Sequence, residues 1–242
     1  MRIVAIIQAR MGRTRLPGKV LLDLAGETVL ARVVHRLRRC SGIDEILVAT
    51  TDMPPDDAIV AECRKCQVQV ARGDRDDVLD RYYRAAQLTK AEIVVRITSD
   101  CPLIDPAVTD KTIAAYLEAR PDYASNALER TYPRGLDTEV FSFDTLARAW
   151  SEARKSYERE HVTPYIYERP EIFKILSVKG DDDLSTHRWT VDTPEDLELV
   201  RAIYTRLGNK PDFSWRDVLA AVEREPELME LNRHVMQKAL HG

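Results

Sequence analysis

The chain has 242 residues, which is enough for one large α/β domain with a full hydrophobic core. Its residues are 44% hydrophobic and 31% charged, which excludes the disordered, collagen-like and coiled-coil classes. Lys and Arg total 36 against 40 Asp and Glu, so the net charge of −4 gives no general attraction to nucleic acid or anionic lipid. We therefore expect a soluble globular protein with no nucleic-acid partner and no membrane partner.

The short apolar runs and the scattered cysteines predict the same compartment. The longest early apolar run, residues 3–7, is far shorter than the ~18 residues of a membrane span, and no signal peptide precedes it, which predicts a cytoplasmic location. The cysteines are too few and too scattered for a disulfide framework, so we expect free thiols. Cys63 and Cys66 have metal-site spacing, but no second ligand pair accompanies them, which favours a helix carrying two thiols.

Strands and helices alternate along the first half of the chain. Continuous β-branched runs predict buried parallel strands, and apolar residues at helical spacing predict the helices between them. Strands are expected at residues 2–7, 45–50, 67–71 and 93–98, and helices at 29–37, 56–66, 76–88 and after the N-cap Asp105. This alternation predicts an α/β fold with a Rossmann-like, doubly wound, mostly parallel sheet.

The second half is less regular. Residues 121–180 are interpreted as an insertion that packs on the same core and supplies an acceptor pocket or a dimer contact. The chain is then expected to return to the sheet with a strand at 188–191, followed by a helix from Thr193 to Gly208 and a helical C-terminal tail, 209–242, with a helix at 214–225. We treat residues 1–242 as a single domain.

The segment after the first strand has an unusual composition. Residues 8–19 contain four cations and two glycines. Glycine lets backbone N–H groups approach an anion, and Arg and Lys supply the charge that a triphosphate needs. The segment matches neither a Walker A loop, because five residues separate Gly12 from Gly18, nor a dinucleotide fingerprint. It predicts a mononucleotide held largely by side-chain cations, with a solvated basic loop as the alternative.

Two aspartates follow predicted strands at distant positions in the chain. Asp100 and Asp192 each end a strand and precede a proline by two residues. Carboxylates beside a triphosphate suit Mg²⁺, which usually takes one or two protein carboxylates and completes its shell with phosphate oxygens and water. A helix cap is the alternative for each, but Asp105 and Thr193 are available for capping. The sequence therefore predicts a magnesium site at Asp100 and Asp192.

Seven segments carry a family resemblance. They are QARMGRTRLPGKVL (8–21), ATTD (49–52), GDRDDVLDRYYRAA (73–86), RITSDCPLIDP (96–106), RGLDTEVF (134–141), EHVTPYIYE (160–168) and RWTVDTPEDLELV (188–200). Together they resemble the cytidylyltransferases that activate acidic sugars, above all the spore-coat polysaccharide biosynthesis type, with the 3-deoxy-manno-octulosonate and acylneuraminate cytidylyltransferases as relatives. The resemblance spans residues 2 to about 206.

The resemblance implies a fold of the nucleotide-diphospho-sugar transferase type, a homodimer, and the use of CTP and Mg²⁺. It implies that Arg10, Arg15 and Lys19 grip the triphosphate, and that Asp100, with Asp192, holds the metal. The implied catalytic residues are Arg10, Arg15, Lys19 and Asp100. Arg13 departs from the family, which usually has Ser there, and this puts the detailed geometry of the phosphate loop in doubt.

Other polar residues are weaker candidates. We expect nucleotide contacts also at Gln8, Ala9, Met11, Gly12, Thr50, Thr51, Asp52, Arg72, Asp74 and Ser99, although turns and caps explain several of these equally well. We expect acceptor contacts at Tyr132, Arg134, Asp137 and Glu139, with an Arg134–Asp137 surface ion pair as the alternative. His161 and His187 are each interpreted as a satisfied buried histidine.

The predicted reaction is attack by a hydroxyl of an acidic sugar on the α-phosphorus of CTP, with release of pyrophosphate, for surface polysaccharide or glycolipid synthesis. Two alternatives stay open. One is a transferase of the same fold with another nucleotide or a non-sugar acceptor. The other is a nucleotide-binding subunit of a glycan-synthesis cluster that does not turn over.

Overall fold

A computed structural model gives the fold and describes residues 1–12 and 15–237. Its strands are β1 (Ile3–Gln8), β2 (Asp23–Leu24), β3 (Glu27–Thr28), β4 (Glu45–Thr51), β5 (Gln69–Gly73), β6 (Ile93–Thr98), β7 (Tyr123–Ser125), β8 (Glu139–Ser142) and β9 (Ile175–Ser177). Its helices are α1 (Val29–Leu37), α2 (Asp57–Lys65), α3 (Val78–Thr89), α4 (Pro106–Ala119), α5 (Phe143–Glu152), α6 (Ser156–His161), α7 (Pro164–Tyr167), α8 (Pro194–Arg206), α9 (Trp215–Arg224) and α10 (Glu227–Glu230). Short 3₁₀ turns lie at Lys19–Leu21 and Pro54–Asp56.

The main sheet has the strand order β5-β4-β1-β6-β8-β7-β9. Within the described residues, β8 alone runs against the other strands of this sheet. The predicted α/β, doubly wound and mostly parallel sheet is confirmed. Its strand order reverses between β1 and β6, because the chain first builds outward through β4 and β5 and then returns to the other side of β1. Ligands of open α/β sheets bind at such a switch point.

The sheet is covered on both faces, which explains the unbroken apolar run of β1. Ile3, Ala5 and Ile7 pack in one core cluster with α1, α2 and α4. Val4 and Ile6 point to the opposite face and pack with α3 and α5. Because side chains alternate along a strand, both faces of β1 must be apolar when both are covered. A third cluster lies between α8 and α9.

The insertion is part of the same sheet. Its three short strands β7, β8 and β9 pair next to β6 and extend the sheet on that side. The sequence patterns do not show the hairpin of β2 and β3, nor the short helices α6 and α7. Each of these elements has at most six residues, which is too short for a clear hydrophobic period.

The predicted strand at residues 188–191 is wrong. Arg188 forms only an isolated bridge with Arg134, and the N–H of Val191 bonds to the carbonyl oxygen of Asp100, in the loop after β6. The apolar side chains of this segment are buried because Trp189 and Val191 pack among α8 and α9 rather than in the sheet. A short apolar run is compatible with a strand in the sheet or with a segment buried against helices, and here the tertiary packing buries it against α8 and α9.

Helix boundaries agree with the capping residues. The Asp105 carboxylate accepts bonds from two N–H groups at the start of α4, and the Thr193 hydroxyl caps α8. Gly208, at φ +69°, follows the end of α8, in the conformation that favours glycine.

Across the residues with assigned positions, no helix has the length and apolar character that a membrane crossing requires.

Candidate active site

Asp100 and Asp192 converge on one ammonium group. The Nζ atom of Lys19, in the 3₁₀ turn after the β1 loop, donates to Asp100 Oδ2, Asp192 Oδ1 and the carbonyl oxygen of Val191, each at 2.7 Å. Lys19 is only 2% exposed. Burial lowers its pKa, but the two carboxylates outweigh burial and raise the pKa above its usual value, so the side chain is charged. The two predicted metal ligands therefore share one site at the switch point of the sheet.

Lys19 has no hydrogen-bond donor to spare in this arrangement. An ammonium group carries three N–H donors, and the three acceptors named above use all of them. The family resemblance implies that this group binds the triphosphate, and that stays a prediction. In the structure, it holds two aspartates and a carbonyl together.

Asp192 is surrounded by cations. Its Oδ2 atom forms an ion pair with Arg15 Nη2 at 2.9 Å and accepts from Arg188 Nη2 at 3.0 Å, while Oδ1 accepts from Lys19. Burial and the charge of Asp100 raise the pKa of Asp192, but Lys19 and Arg15 outweigh them and lower it below its usual value. Asp192 is therefore ionised at neutral pH. Its position depends on side chains that lie up to 177 residues away in the sequence.

Arg188 links this carboxylate to helix α8. Its guanidinium binds Asp196 in bidentate fashion, with Nε to Oδ1 at 2.9 Å and Nη2 to Oδ2 at 3.0 Å. Asp196 is fully buried and accepts from the backbone N–H groups of Asp192 and Thr193. Sequence analysis missed both Arg188 and Asp196. The signal for Asp196 was present, because an acid at the third position of a capped helix is typical of a capping box.

A cleft opens beside this cluster at the carboxyl ends of β1 and β6. Of the predicted residues, it brings together Gln8, Ala9, Arg10, Lys19, Ser99 and Asp100. The sequence analysis missed other residues that line it: Val20, Val78, Arg81, Thr98, Glu160 and His161. Arg10 pairs with Glu160 at 3.3 Å across the cleft. The cleft is therefore bounded by β1, β6, α3 and the end of α6.

Arg81 is the most informative of the missed residues. It is 3% exposed, its Nη1 atom donates to the carbonyl oxygens of Asp74 and Arg75, and its buried Nε has no partner. No ion pair to Arg81 occurs within residues 1–12 and 15–237. Burial, and secondarily repulsion from Arg10, lowers its pKa despite the attraction of Tyr82 and nearby acids. A buried N–H donor without a partner is costly, and Nε of Arg81 is therefore available to an acceptor that enters the cleft.

The loop after β1 is fixed by a buried aspartate that the sequence analysis also missed. Asp56 accepts from the N–H of Met11 at 2.8 Å and from the hydroxyl groups of Thr50 and Thr51. The two threonines are buried, so their hydroxyls support this loop from behind and do not line the cleft. Gly12 is exposed. Arg13 and its predicted effect on the phosphate loop lie outside the described residues.

The remaining nucleotide candidates lie at or just after the ends of β4 and β5. Asp52 is exposed, and the Arg72 guanidinium donates to the carbonyl oxygens of Thr51 and Met53 and pairs with Asp57. Asp74 accepts from two backbone N–H groups, which lower its pKa, and so it stabilises the turn before α3. Neither Arg72 nor Asp74 lines the cleft.

The acceptor candidates separate into different environments. Asp137 pairs with Arg130 at 2.6 and 2.8 Å, so the alternative of an Arg134–Asp137 ion pair is wrong. Glu139 is occupied by Arg96, Tyr123 and Thr163. Tyr132 stacks edge-on with Trp215 and lines a separate cavity of about 300 Å³ beside α9.

Arg134 differs from these residues because no described carboxylate pairs with it. Its backbone bonds to residues 187 and 189, which places it near Arg188 and the loop that carries Asp192. Burial and the neighbouring Arg130 lower its pKa, only partly offset by Asp137. A half-buried guanidinium in this position is able to bind a carboxylate with two parallel hydrogen bonds.

The interpretation of both histidines as buried is wrong, and the interpretation of His187 as satisfied is also wrong. His161 is half-buried and lines the cleft. His187 is also half-buried, and its buried Nδ1 has no hydrogen-bond partner.

All four cysteines are free, as predicted, and they are buried. Cys63 lies in α2 and Cys66 at its end.

The donor set fits a magnesium ion that shares its shell with a ligand. One oxygen of Asp100 and one of Asp192 each lie 2.7 Å from Lys19 Nζ. Carboxylate oxygens are the hard donors that Mg²⁺ prefers. No group of three or more His, Cys, Asp or Glu side chains able to hold a metal occurs in the part of the chain that the structure describes. The remaining positions around a metal at this pair must therefore come from phosphate oxygens and water.

A doubly wound sheet with a cation-rich loop and two aspartates at its switch point defines a nucleotidyltransferase. The family model described as "Cytidylyltransferase" matches residues 4–225. The chain belongs to this cytidylyltransferase family.

Individual relatives agree with this assignment. The chain is 34% identical over 234 residues to the spore coat polysaccharide biosynthesis protein SpsF of Bacillus subtilis, covering 93% of this chain and 95% of that protein. It is 33% identical to a 3-deoxy-manno-octulosonate cytidylyltransferase of Anaeromyxobacter dehalogenans, covering 83% and 97%. A solved cytidylyltransferase of Leptospira borgpetersenii matches with a TM-score of 0.92 and 34% identity over 99% of each chain.

Proposed function

We propose that this protein transfers CMP from CTP to a hydroxyl group of an acidic sugar and releases pyrophosphate. The observation that carries the proposal is the convergence of Asp100 and Asp192 beside Arg10, Arg15 and Lys19 at the switch point. Nucleotidyl transfer needs positioned phosphates and neutralised charge more than it needs covalent help, and this cluster supplies both kinds of group.

We infer that Asp100 and Asp192 hold Mg²⁺. Bound there, the ion would neutralise charge on the phosphates and lower the pKa of the attacking hydroxyl. The residues of the chain have separate roles around it. Arg10 lines the cleft, and Arg15 pairs with Asp192. Both guanidinium groups would stabilise the negative charge that grows on the departing pyrophosphate. Arg188 and Asp196 hold Asp192 in place.

An acidic acceptor is supported by Arg134. Because Arg130 already neutralises Asp137, the guanidinium of Arg134 has no carboxylate partner among the described residues. A sugar carboxylate would supply that partner in a position close to the Asp192 loop. We propose surface polysaccharide or glycolipid synthesis as the role of the product; the similarity to the spore coat polysaccharide biosynthesis protein of Bacillus subtilis supports the polysaccharide.

A pyrophosphate-release assay with each of the four nucleoside triphosphates and a panel of acidic sugars tests the proposal. Release with CTP and an acidic sugar supports it. Release with another triphosphate or with a neutral acceptor would identify a different transferase, and binding of CTP without release would identify a non-catalytic subunit.

Asp192→Asn tests the role of the paired carboxylates in the same assay. We expect turnover to fall by about 100-fold or more, because the substitution removes one charge from the pair while its shape is kept. Asp212→Asn changes an exposed aspartate before α9 and serves as the matched control. Wild-type rates in Asp192→Asn, with an unchanged circular dichroism spectrum, would remove this carboxylate from the site.

A further inference from the structure

We infer that Lys19 holds the place of the divalent cation between Asp100 and Asp192 in the nucleotide-free protein, so that the metal enters only together with the nucleotide. The inference rests on the proposed magnesium site and goes beyond it, because it assigns an order of binding. Its basis is the geometry of the ammonium group, which bonds to the same two carboxylates that a metal would need.

The hydrogen-bond count shows why the two cations exclude each other. Lys19 Nζ lies 2.7 Å from an oxygen of each aspartate and 2.7 Å from the carbonyl oxygen of Val191. A divalent ion bound by the same two oxygens would stand within a few ångströms of the ammonium group. Two cations at that separation repel strongly in a buried site, where the effective dielectric constant is low. The metal therefore requires that Lys19 leave the pair.

The charge balance gives the same result. Three cations, Lys19, Arg15 and Arg188, already face three carboxylates, because Arg188 also pairs with Asp196 beside Asp100 and Asp192. A bare divalent ion approaching this cluster finds no uncompensated negative charge. A triphosphate changes the balance, because it brings several negative charges of its own. It also offers acceptors to the three N–H donors that Lys19 would otherwise leave unpaired in a buried position.

This arrangement joins the two uses of Lys19. Before the nucleotide binds, the ammonium group keeps the two aspartates together and prevents their mutual repulsion. With nucleotide and metal bound, Asp100 and Asp192 would hold the metal, and the Lys19 ammonium group would donate hydrogen bonds to the phosphates. The protein thus keeps a paired site without binding a metal that has no substrate to act on.

Titration with Mn²⁺ in the absence of nucleotide tests this order, with free Mn²⁺ measured by electron paramagnetic resonance. Four proteins are compared: wild type, Lys19→Met, the double variant Lys19→Met/Asp192→Asn, and Lys65→Met. Lys65→Met is the matched control, because Lys65 is an exposed lysine that pairs with Glu62 on the surface of α2. The titration contains no CTP and no sugar, so its outcome is independent of whether the transfer reaction itself is assigned correctly.

We expect Lys19→Met to gain a saturable Mn²⁺ site at least about tenfold tighter than any site of the wild type, because it removes the competing charge from the pair. The double variant should lose that site, and Lys65→Met should behave like the wild type. No gain of binding in folded Lys19→Met would overturn the inference.

The wild-type protein gives a second test that does not depend on how Lys19→Met folds. Wild type and Asp192→Asn are titrated side by side without nucleotide, and the wild type is titrated again with CTP. Equal weak binding by the first two, with a tight site appearing when CTP is added, beyond the Mn²⁺ that the same concentration of CTP binds without protein, supports the inference. Tight Mn²⁺ binding by the nucleotide-free wild type that Asp192→Asn removes would overturn it.

Discussion

Single side chains in this protein are specified to very different degrees by their sequence context. Asp100 and Asp192 stand out because each directly follows an extended segment, and the backbone then delivers both to one edge of the sheet. Arg81 is one of the two arginines of α3, and nothing in its sequence neighbourhood separates it from Arg84. The difference arises from packing: Arg81 is buried beside the cleft, whereas Arg84 pairs with Asp80 on the surface.

The environment of Arg81 leads to a prediction about nucleotide affinity. Arg81→Met should weaken CTP binding by about tenfold or more, because a charged hydrogen-bond donor to the ligand is lost. Isothermal titration calorimetry measures the affinity, and Arg84→Met, three residues later on an exposed face, is the matched control. An unchanged affinity for CTP in folded Arg81→Met would show that this guanidinium only supports the turn at residues 74 and 75.

Among the secondary-structure elements, the short helix α6 contributes two side chains to the cleft although it has only six residues. It brings Glu160 and His161 to the cleft, and it is anchored to the start of α3. Arg159 binds both oxygens of Asp77, the N-cap of α3, and also the carbonyl oxygen of Trp150. Such a helix is hard to predict from sequence, because six residues with a Lys at the N-cap carry little local signal. Its stability comes from its contacts.

Removal of this anchor should loosen one wall of the cleft without unfolding the protein. We expect Arg159→Met to raise the KM for CTP by about threefold to tenfold, because a bidentate, partly buried ion pair is lost. Hydrogen exchange should become faster in α6, while the exchange of β1 and β6 stays the same. Arg148→Met, which removes an exposed pair within α5, is the control. Unchanged exchange in α6 would contradict the anchoring role.

At the scale of the whole molecule, the site depends on a junction between the insertion and the segment that carries Asp192. Residue 134 bridges residue 188, and the next residue, Gly135, has a φ of +108°. A Cβ atom at Gly135 would lie 2.7 Å from the backbone carbon of Trp189. Because Trp189 is fully buried and lies three residues before Asp192, this close approach connects the insertion, the third core cluster and the paired aspartates.

Gly135→Ala should therefore be much more harmful than the same change at another glycine with positive φ. Gly26, at φ +87°, has no atom within 4 Å of its added Cβ and is the matched control. We expect a loss of about 3 kcal/mol or more at Gly135 and about 1 kcal/mol at Gly26, since only the former adds a clash to backbone strain. The Tm should fall by about 6 °C or more against about 2 to 4 °C. Equal losses in the two variants would contradict this role of the junction.

The sequence by itself determined the framework of this protein. The uninterrupted apolar run of β1 requires a sheet covered on both faces, Asp105 and Thr193 start their helices by local hydrogen bonds, and the loops after parallel strands must meet at one edge. Tertiary structure alone decided the partners of the charged groups. Lys19 bonds to carboxylates 81 and 173 residues away, and Asp137 pairs with Arg130 rather than Arg134. Local patterns act over a few residues, whereas a buried charge takes whichever partner the packed chain brings within reach.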